Sequence, residues 1–258
     1  MIEEFTDFDY WEKRGETYRE LDDVKSKRTA YKIVNMIKTL GINRGSWILD
    51  AGCGRGDITK VVRDSFRHSN VLGIDLSEKM IEGAKTKQTP GLKFFGIDFF
   101  SFVEDMGAFF DLIMMNLFIH HLTDGRDERA IDFVYDILNP NGHILIAEAI
   151  PPEDNVFDYY KEIFRLKEKR NCYLLSDLLR LVRGGGFEDL KFLTYKFDIR
   201  LMSWLNDVTL LPEKKKLIYS MHTNASSDFK KAYAMKPLLH GDYRLRCKMA
   251  IVTGKKSQ

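Results

Sequence analysis

The sequence predicts an α/β fold built on a doubly wound, mostly parallel sheet. Three observations carry that prediction. Strand-like and helix-like segments alternate between residues 46 and 150, giving five strands. A glycine-rich turn, Gly52-Cys53-Gly54-Arg55-Gly56, follows the first strand directly. Two more alternating runs follow beyond Pro151-Pro152, bringing the strands to seven.

Each element has its own warrant. Ser46–Ala51 is a short apolar run ending beside an acid, and a helix is expected from Asp57 to about His68. Asn70–Asp75 is the second strand. Ser77 then supplies an N-cap oxygen and Glu78 a negative charge in the first turn of a helix. Leu92–Ile97 is the third strand. Phe110–Asn116, the fourth, is apolar almost throughout, as a strand buried on both faces should be. Arg126–Leu138 reads as a helix, Asn139-Pro140-Asn141-Gly142 as a turn, and His143–Ile150 as the fifth strand. Ser176–Arg183 is helical and is closed by Gly184-Gly185-Gly186. Leu190–Phe197 alternates as the sixth strand. Arg244–Thr253 is the last, with Leu245, Cys247, Met249 and Ile251 on one face.

The 46 residues between those two runs, 198–243, are far too many for a hairpin loop. They carry helical patterns at Met202–Val208, Glu213–His222 and Ser227–Met235, so an inserted helical cap is expected. Residues 1–45 are expected to form two helices over one edge of the sheet. Their cluster of Asp7, Phe8, Asp9, Tyr10, Trp11 and Tyr18 either docks a helix or forms a lid over the strand ends. The chain thus reads as a single domain, 1–258. Residues 1–45 are an N-terminal helical cap, 46–197 plus 244–253 the core, and 198–243 the inserted cap.

Bulk properties exclude several classes. With 258 residues, 44% hydrophobic content and a net charge of +2, the chain can bury one core and offers no broad basic surface for nucleic acid. Cys53, Cys172 and Cys247 are few, odd in number and far apart, so neither disulfides nor a metal site is expected. The N-terminus has no apolar signal core, and no run approaches the ~18 apolar residues of a membrane helix. A cytoplasmic location is expected. The oligomeric state stays open, a homodimer included.

The glycine turn decides the ligand class. A dinucleotide loop wants G-x-G-x-x-G, whereas Gly52, Gly54 and Gly56 give G-x-G-x-G, with Asp57 where the third glycine belongs. A carboxylate at the helix start already satisfies the positive end of the dipole and disfavours a phosphate. Asp50 precedes the glycines, so a cation or a zwitterion with an amino group fits better. Asp75 ends the second strand, 25 residues after Asp50, where a carboxylate can accept both ribose hydroxyls. Asp98 and Phe99 follow the third strand and suit an adenine amine and ring face. Asn116 ends the fourth, followed by Leu117, Phe118, Ile119, His120 and His121.

LDAGCGRGD, GIDLSEKMI, GIDF, FDLIMMNLFIHHL and LNPNGHILIAEAI together resemble the successive motifs of class I S-adenosylmethionine-dependent methyltransferases. The likeness is to the broad type 11 group that includes ubiquinone and menaquinone biosynthesis enzymes. It covers residues 46–150, and the last two strands fit that family's antiparallel final hairpin. It implies a Rossmann-like seven-stranded sheet, S-adenosyl-L-methionine as cofactor and S-adenosyl-L-homocysteine as product. On this resemblance Gly52, Cys53 and Gly54 meet the methionine part by backbone, with Asp50 beside them. Asp75 holds the ribose, Leu76 and Met80 flank the adenine, and Asp98 and Phe99 bind its edge and face. Asn116 and Leu117 reach the amino-acid end by their carbonyls, and Arg28 is placed on the cofactor carboxylate by position alone.

Methyl transfer from a sulfonium needs alignment more than covalent help, and a base only where the acceptor loses a proton. Tyr10, His120, His121 and His222 are the candidates, with His121, His222 and Tyr10 carried forward. Asn116-Leu117-Phe118-Ile119 lacks the N/D-P-P-aromatic sequence of base-amino methyltransferases, and no Pro-Cys nucleophile of the cytosine-5 type is present. The reading is a methyltransferase acting on a small apolar or aromatic molecule. An RNA- or protein-modifying methyltransferase, a cofactor-binding regulator without turnover, and a nicotinamide dehydrogenase are the alternatives. The long insertion before the last strand departs from the quinone-biosynthesis enzymes.

Overall fold

In the computed structural model, which describes residues 9–13, 23–104 and 109–257, five strands run parallel. They are β1 (Trp47–Ala51), β2 (Asn70–Asp75), β3 (Leu92–Gly96), β4 (Phe110–Asn116) and β5 (Leu138–Ile150). β6 (Glu188–Arg200) and β8 (Tyr243–Lys255) complete the sheet in the order β3-β2-β1-β4-β5-β8-β6, and the two-residue β7 (Lys236–Pro237) pairs with β8. β8 is antiparallel to both β5 and β6.

Apolar side chains dictate the layers. One core packs Leu49, Ile113, Ile146 and Val252 against the helices Arg126–Ile137 and Leu175–Gly184. The other face packs Ile48, Leu112, Met114 and Ile251 under Ile33, Val34 and Ile37 of the helix Asp23–Lys38. That helix therefore lies on a face of the sheet, not over an edge as the sequence had led us to expect. Its apolar stripe at 33, 34 and 37 has the spacing of a helix on a flat surface. Asp7, Phe8 and Tyr18 lie outside the described residues.

Most expected elements keep their bounds to within a few residues. Two differ for physical reasons. Asn139–Gly142 is drawn into β5, with an irregularity in register against β4 between Phe110 and Leu112. The sequence shows one apolar face on β8, at Leu245, Cys247, Met249 and Ile251. The strand lies between β5 and β6, so Met249, Ala250, Ile251 and Val252 are all buried.

A third core stands apart from the sheet. Tyr160, Phe164, Leu201, Leu205, Leu210, Ile218, Phe229 and Tyr233 pack together with Leu245 of β8. They come from the helix Phe157–Lys167 and from the insertion, whose helices are Leu201–Leu205, Pro212–Thr223 and Ser227–Ala232. β6 ends and β8 begins at the carboxyl edge of the parallel strands, so this cap is rooted there. Its neck is closed by Asp242, which accepts from Arg200 Nε at 2.8 Å and from Met202 N–H at 2.9 Å. Burial opposes the charge, but these donors win and hold Asp242 below the ordinary carboxylate range.

Candidate active site

The glycine turn is fixed from below by β2. The N–H groups of Gly52 and Cys53 both donate to Ile74 O at 2.9 Å. Gly52 has φ +71°, and a Cβ there would collide with the Phe118 ring, so only glycine fits. Gly54 is part-exposed, with φ +53° and open space where a Cβ would stand.

Asp75 closes the second wall. Its Oδ2 accepts from Gly54 N–H at 2.8 Å and its Oδ1 from Ser77 N–H at 3.0 Å. Burial raises its pKa against those two bonds. Ser77 caps the helix Glu78–Lys85 through Met80 N–H, as its position implied, and the Met80 side chain is buried. Leu76 remains part-exposed between them.

Asp50 lies beneath the loop, 2% exposed. Thr59 Oγ1 donates to its Oδ2 at 2.6 Å, while Oδ1 has no hydrogen-bond partner. Burial pushes this carboxyl up to about 7, Thr59 opposing and Asp75 assisting. Asn116 Oδ1, at the end of the neighbouring β4, is a second buried acceptor without a partner. Leu117 follows at φ 52°, an uncommon conformation for a residue with a Cβ, with its N–H held by Ala147 O at 2.8 Å. Two orphaned acceptors, a part-exposed glycine and a ribose-type acid fit a nucleoside bearing an ammonium group. Cys53 fits no nucleophilic role, since burial raises its thiol well above the usual range.

The third strand contributes differently. Asp98 Oδ1 accepts from Phe100 and Ser101 N–H at 3.0 and 3.1 Å, so it caps the helix Phe99–Glu104. Phe99 is buried, edge-on to Phe100 and Phe118.

Two expected site residues stand elsewhere. Arg28 lies over the Tyr195 ring at 6.0 Å and faces Asp198, both on β6, three strands along from β4. The helix that carries it runs across the sheet face, which takes Arg28 toward β6 and away from the glycine turn. His222 is 2% exposed in the cap core, between Trp204 and Phe229, with its Nδ1 at 2.8 Å from Ile218 O. Burial lowers its pKa, and it serves as packing.

Residues 9–13 form a helical turn at the carboxyl edge. Glu12 Oε1 accepts from Ser77 Oγ at 2.7 Å and from Lys79 N–H at 3.3 Å. Trp11 packs edge-on against His121, ring centroids 4.3 Å apart, and Tyr10 OH donates to Glu168 at 3.3 Å. These contacts dock the segment through its aromatics at the exits of the strands.

Sequence reasoning missed the polar group under the histidines. Glu148 on β5 is fully buried, and both of its oxygens lie 2.8 Å from His120 Nδ1. Arg170 Nη2 stands 4.0 Å away and Arg170 Nη1 pairs with Glu168 at 3.2 Å. Burial pushes Glu148 up to about 7, against the pull of Arg170 and His121. The available signal was one glutamate inside the apolar run Ile144–Ile150.

The family model described as a methyltransferase domain matches residues 48–142. An uncharacterized methyltransferase of Bacillus cytotoxicus is 27% identical over 171 residues, which is 66% of this chain and 78% of that protein. Among solved structures, a candidate methyltransferase of Bacillus halodurans superposes with a TM-score of 0.74 at 15% identity, covering 88% of this chain and all of that one. Phosphoethanolamine N-methyltransferase 2 of Haemonchus contortus, solved with S-adenosyl-L-methionine, superposes at 0.57 and 17% identity, covering 88% of this chain and 53% of that one. At such identities the structural likeness is one of fold.

Proposed function

Because this chain is a class I S-adenosylmethionine-dependent methyltransferase, we propose that it methylates a small, apolar or aromatic molecule by in-line displacement. The supporting observation is how the carboxyl edge is covered. The turn 9–13 lies on the β2 and β4 side, and the apolar cap is rooted on the β5, β6 and β8 side. An acceptor approaching the glycine turn passes between two covers, which favours a compact molecule over a folded macromolecule.

The bound cofactor supplies a sulfonium methyl already activated for displacement. The chain's own residues hold and align. Asp50 Oδ1 and Asn116 Oδ1 are assigned to the cofactor's ammonium end, and the backbone of Gly52–Gly54 to its methionine part. Asp75 is assigned to the ribose, with Leu76 and Met80 beside the base and Asp98 near its amine. His121, which touches the 9–13 segment, and Tyr10, which lies within it, are the candidates we assign to take a proton from an acceptor that must lose one.

The test is turnover with S-adenosylmethionine and a panel of small phenols, amines and thiols, beside bulk RNA and unfolded protein, reading S-adenosylhomocysteine. Formation with members of the small-molecule panel is expected. Methyl incorporation into RNA or protein alone would overturn the acceptor class.

A further inference from the structure

The turn 9–13 touches two strand exits that are not neighbours. Glu12 is bonded at the exit of β2, through Ser77 Oγ and Lys79 N–H. Trp11 is seated at the exit of β4, on His121. The sheet order places β1 between β2 and β4. A segment anchored on both therefore spans the exit of β1, which is the glycine turn.

The β4 anchor is held from beneath by Glu148. One arm runs from its carboxylate to His120 at 2.8 Å, from the His120 ring to His121 at 3.8 Å between centroids, and on to Trp11. The other runs from Glu148 through Arg170 to Glu168, which accepts from Tyr10 OH. Both arms start at one fully buried group and end on adjacent residues of the turn. A buried carboxylate is costly to desolvate unless its partners are held in place, so the arrangement is rigid or it is lost. Nothing in the cofactor contacts requires an acid at this depth of β5.

We propose that Glu148 is a positioning residue that fastens the turn 9–13 across the glycine loop, so that removing its charge loosens the cover over bound cofactor. The inference rests on the cofactor site and not on the acceptor's identity.

The experiment measures the affinity of the full chain for S-adenosylhomocysteine by calorimetry, so no acceptor is needed. Wild type, Glu148→Gln, Trp11→Ala and the double variant form one cycle. Each single substitution is expected to raise Kd about fivefold, and the double variant by clearly less than the product of the two, because Glu148→Gln loosens both arms and Trp11→Ala removes the end of one of them. In chain labelled with 5-fluorotryptophan, the Trp11 resonance, identified by its loss in Trp11→Phe, is expected to shift in Glu148→Gln. The Trp47 and Trp204 resonances should stay in place, which a general structural fault would not allow. Independent effects, near 25-fold in the double variant, or an unshifted Trp11 resonance would overturn the proposal. If Glu148→Gln does not fold, His120→Asn, which removes the ring bonded to Glu148 without removing the ring on which Trp11 rests, takes its place in the same cycle with the same expected outcomes. No binding by the folded wild type would instead refute the cofactor assignment, and the proposal with it.

Discussion

Asp50 shows how one carboxyl can report on fold and ligand together. The folded chain holds its proton up to about pH 7, while an ordinary aspartate loses it near 3.8. The folded state thus binds the extra proton between those values. Stability from this group is complete below the lower value and is lost as pH rises to the upper one. We expect the unfolding free energy to fall by ~2–4 kcal/mol across this window on account of Asp50. Asp50→Asn keeps an acceptor for Thr59, and in urea titrations at several pH values it should flatten that slope. An ammonium beside Oδ1 favours the charged form, so S-adenosylhomocysteine binding near pH 6.5 should release a proton. Calorimetry in buffers of different ionisation enthalpy reads that release directly, and none would remove Asp50 from the ammonium site. At Asp75 the expectation is simpler: Asp75→Ala should weaken binding at least tenfold, about 1.4 kcal/mol, with an unchanged circular dichroism spectrum. Asp50 and Asp75 stood out as candidates because each closes an apolar run two residues from a glycine. Glu148 and Arg170 were not, since each looks unremarkable until the fold brings residues 148 and 170 to within 4.0 Å.

Among the elements, the inserted cap is where sequence and structure diverge most. Its helices were legible in kind, the pattern at Glu213–His222 standing as the helix Pro212–Thr223. Their lengths were not, because the expected helices at 202–208 and 227–235 end early, at Leu205 and Ala232. The role of His222 was illegible for a related reason: a histidine on a helix shows its face only when its neighbours Trp204 and Phe229 are known. His222→Ala is expected to cost ~2–3 kcal/mol of stability as packing and a hydrogen bond are lost. S-adenosylhomocysteine affinity should stay within about twofold. A large loss of affinity without loss of stability would return His222 to the site. The cap also buries an ion pair, Lys167 Nζ to Asp207 Oδ2 at 3.1 Å, with the ammonium 5.2 Å from the Trp204 ring centroid. Lys167→Met takes the cation from the buried Asp207, which keeps its bonds from Thr209, and should cost ~3 kcal/mol in denaturant unfolding, partly recovered by adding Asp207→Leu.

At the scale of the molecule, five parallel strands with their ends on one edge were legible because hydrophobic runs, caps and glycines repeat along the chain. The depth of β8 was not, since burial on both faces depends on which strands flank it. That position also sets an order of events. β6 has β8 as its partner within the sheet, and β8 follows it by the whole cap. Until β8 slots in, β6 is a 13-residue strand with its backbone donors and acceptors unmatched, and β5 lacks a neighbour on one side. Closing that gap is a long-range step, and such steps are slow and leave edges open to other chains. Refolding yield should therefore drop steeply with protein concentration, and a chain cut before Tyr243 should aggregate instead of yielding a smaller folded core. The strand that completes the sheet is thus a clock for the molecule, marking the interval in which it most needs a chaperone.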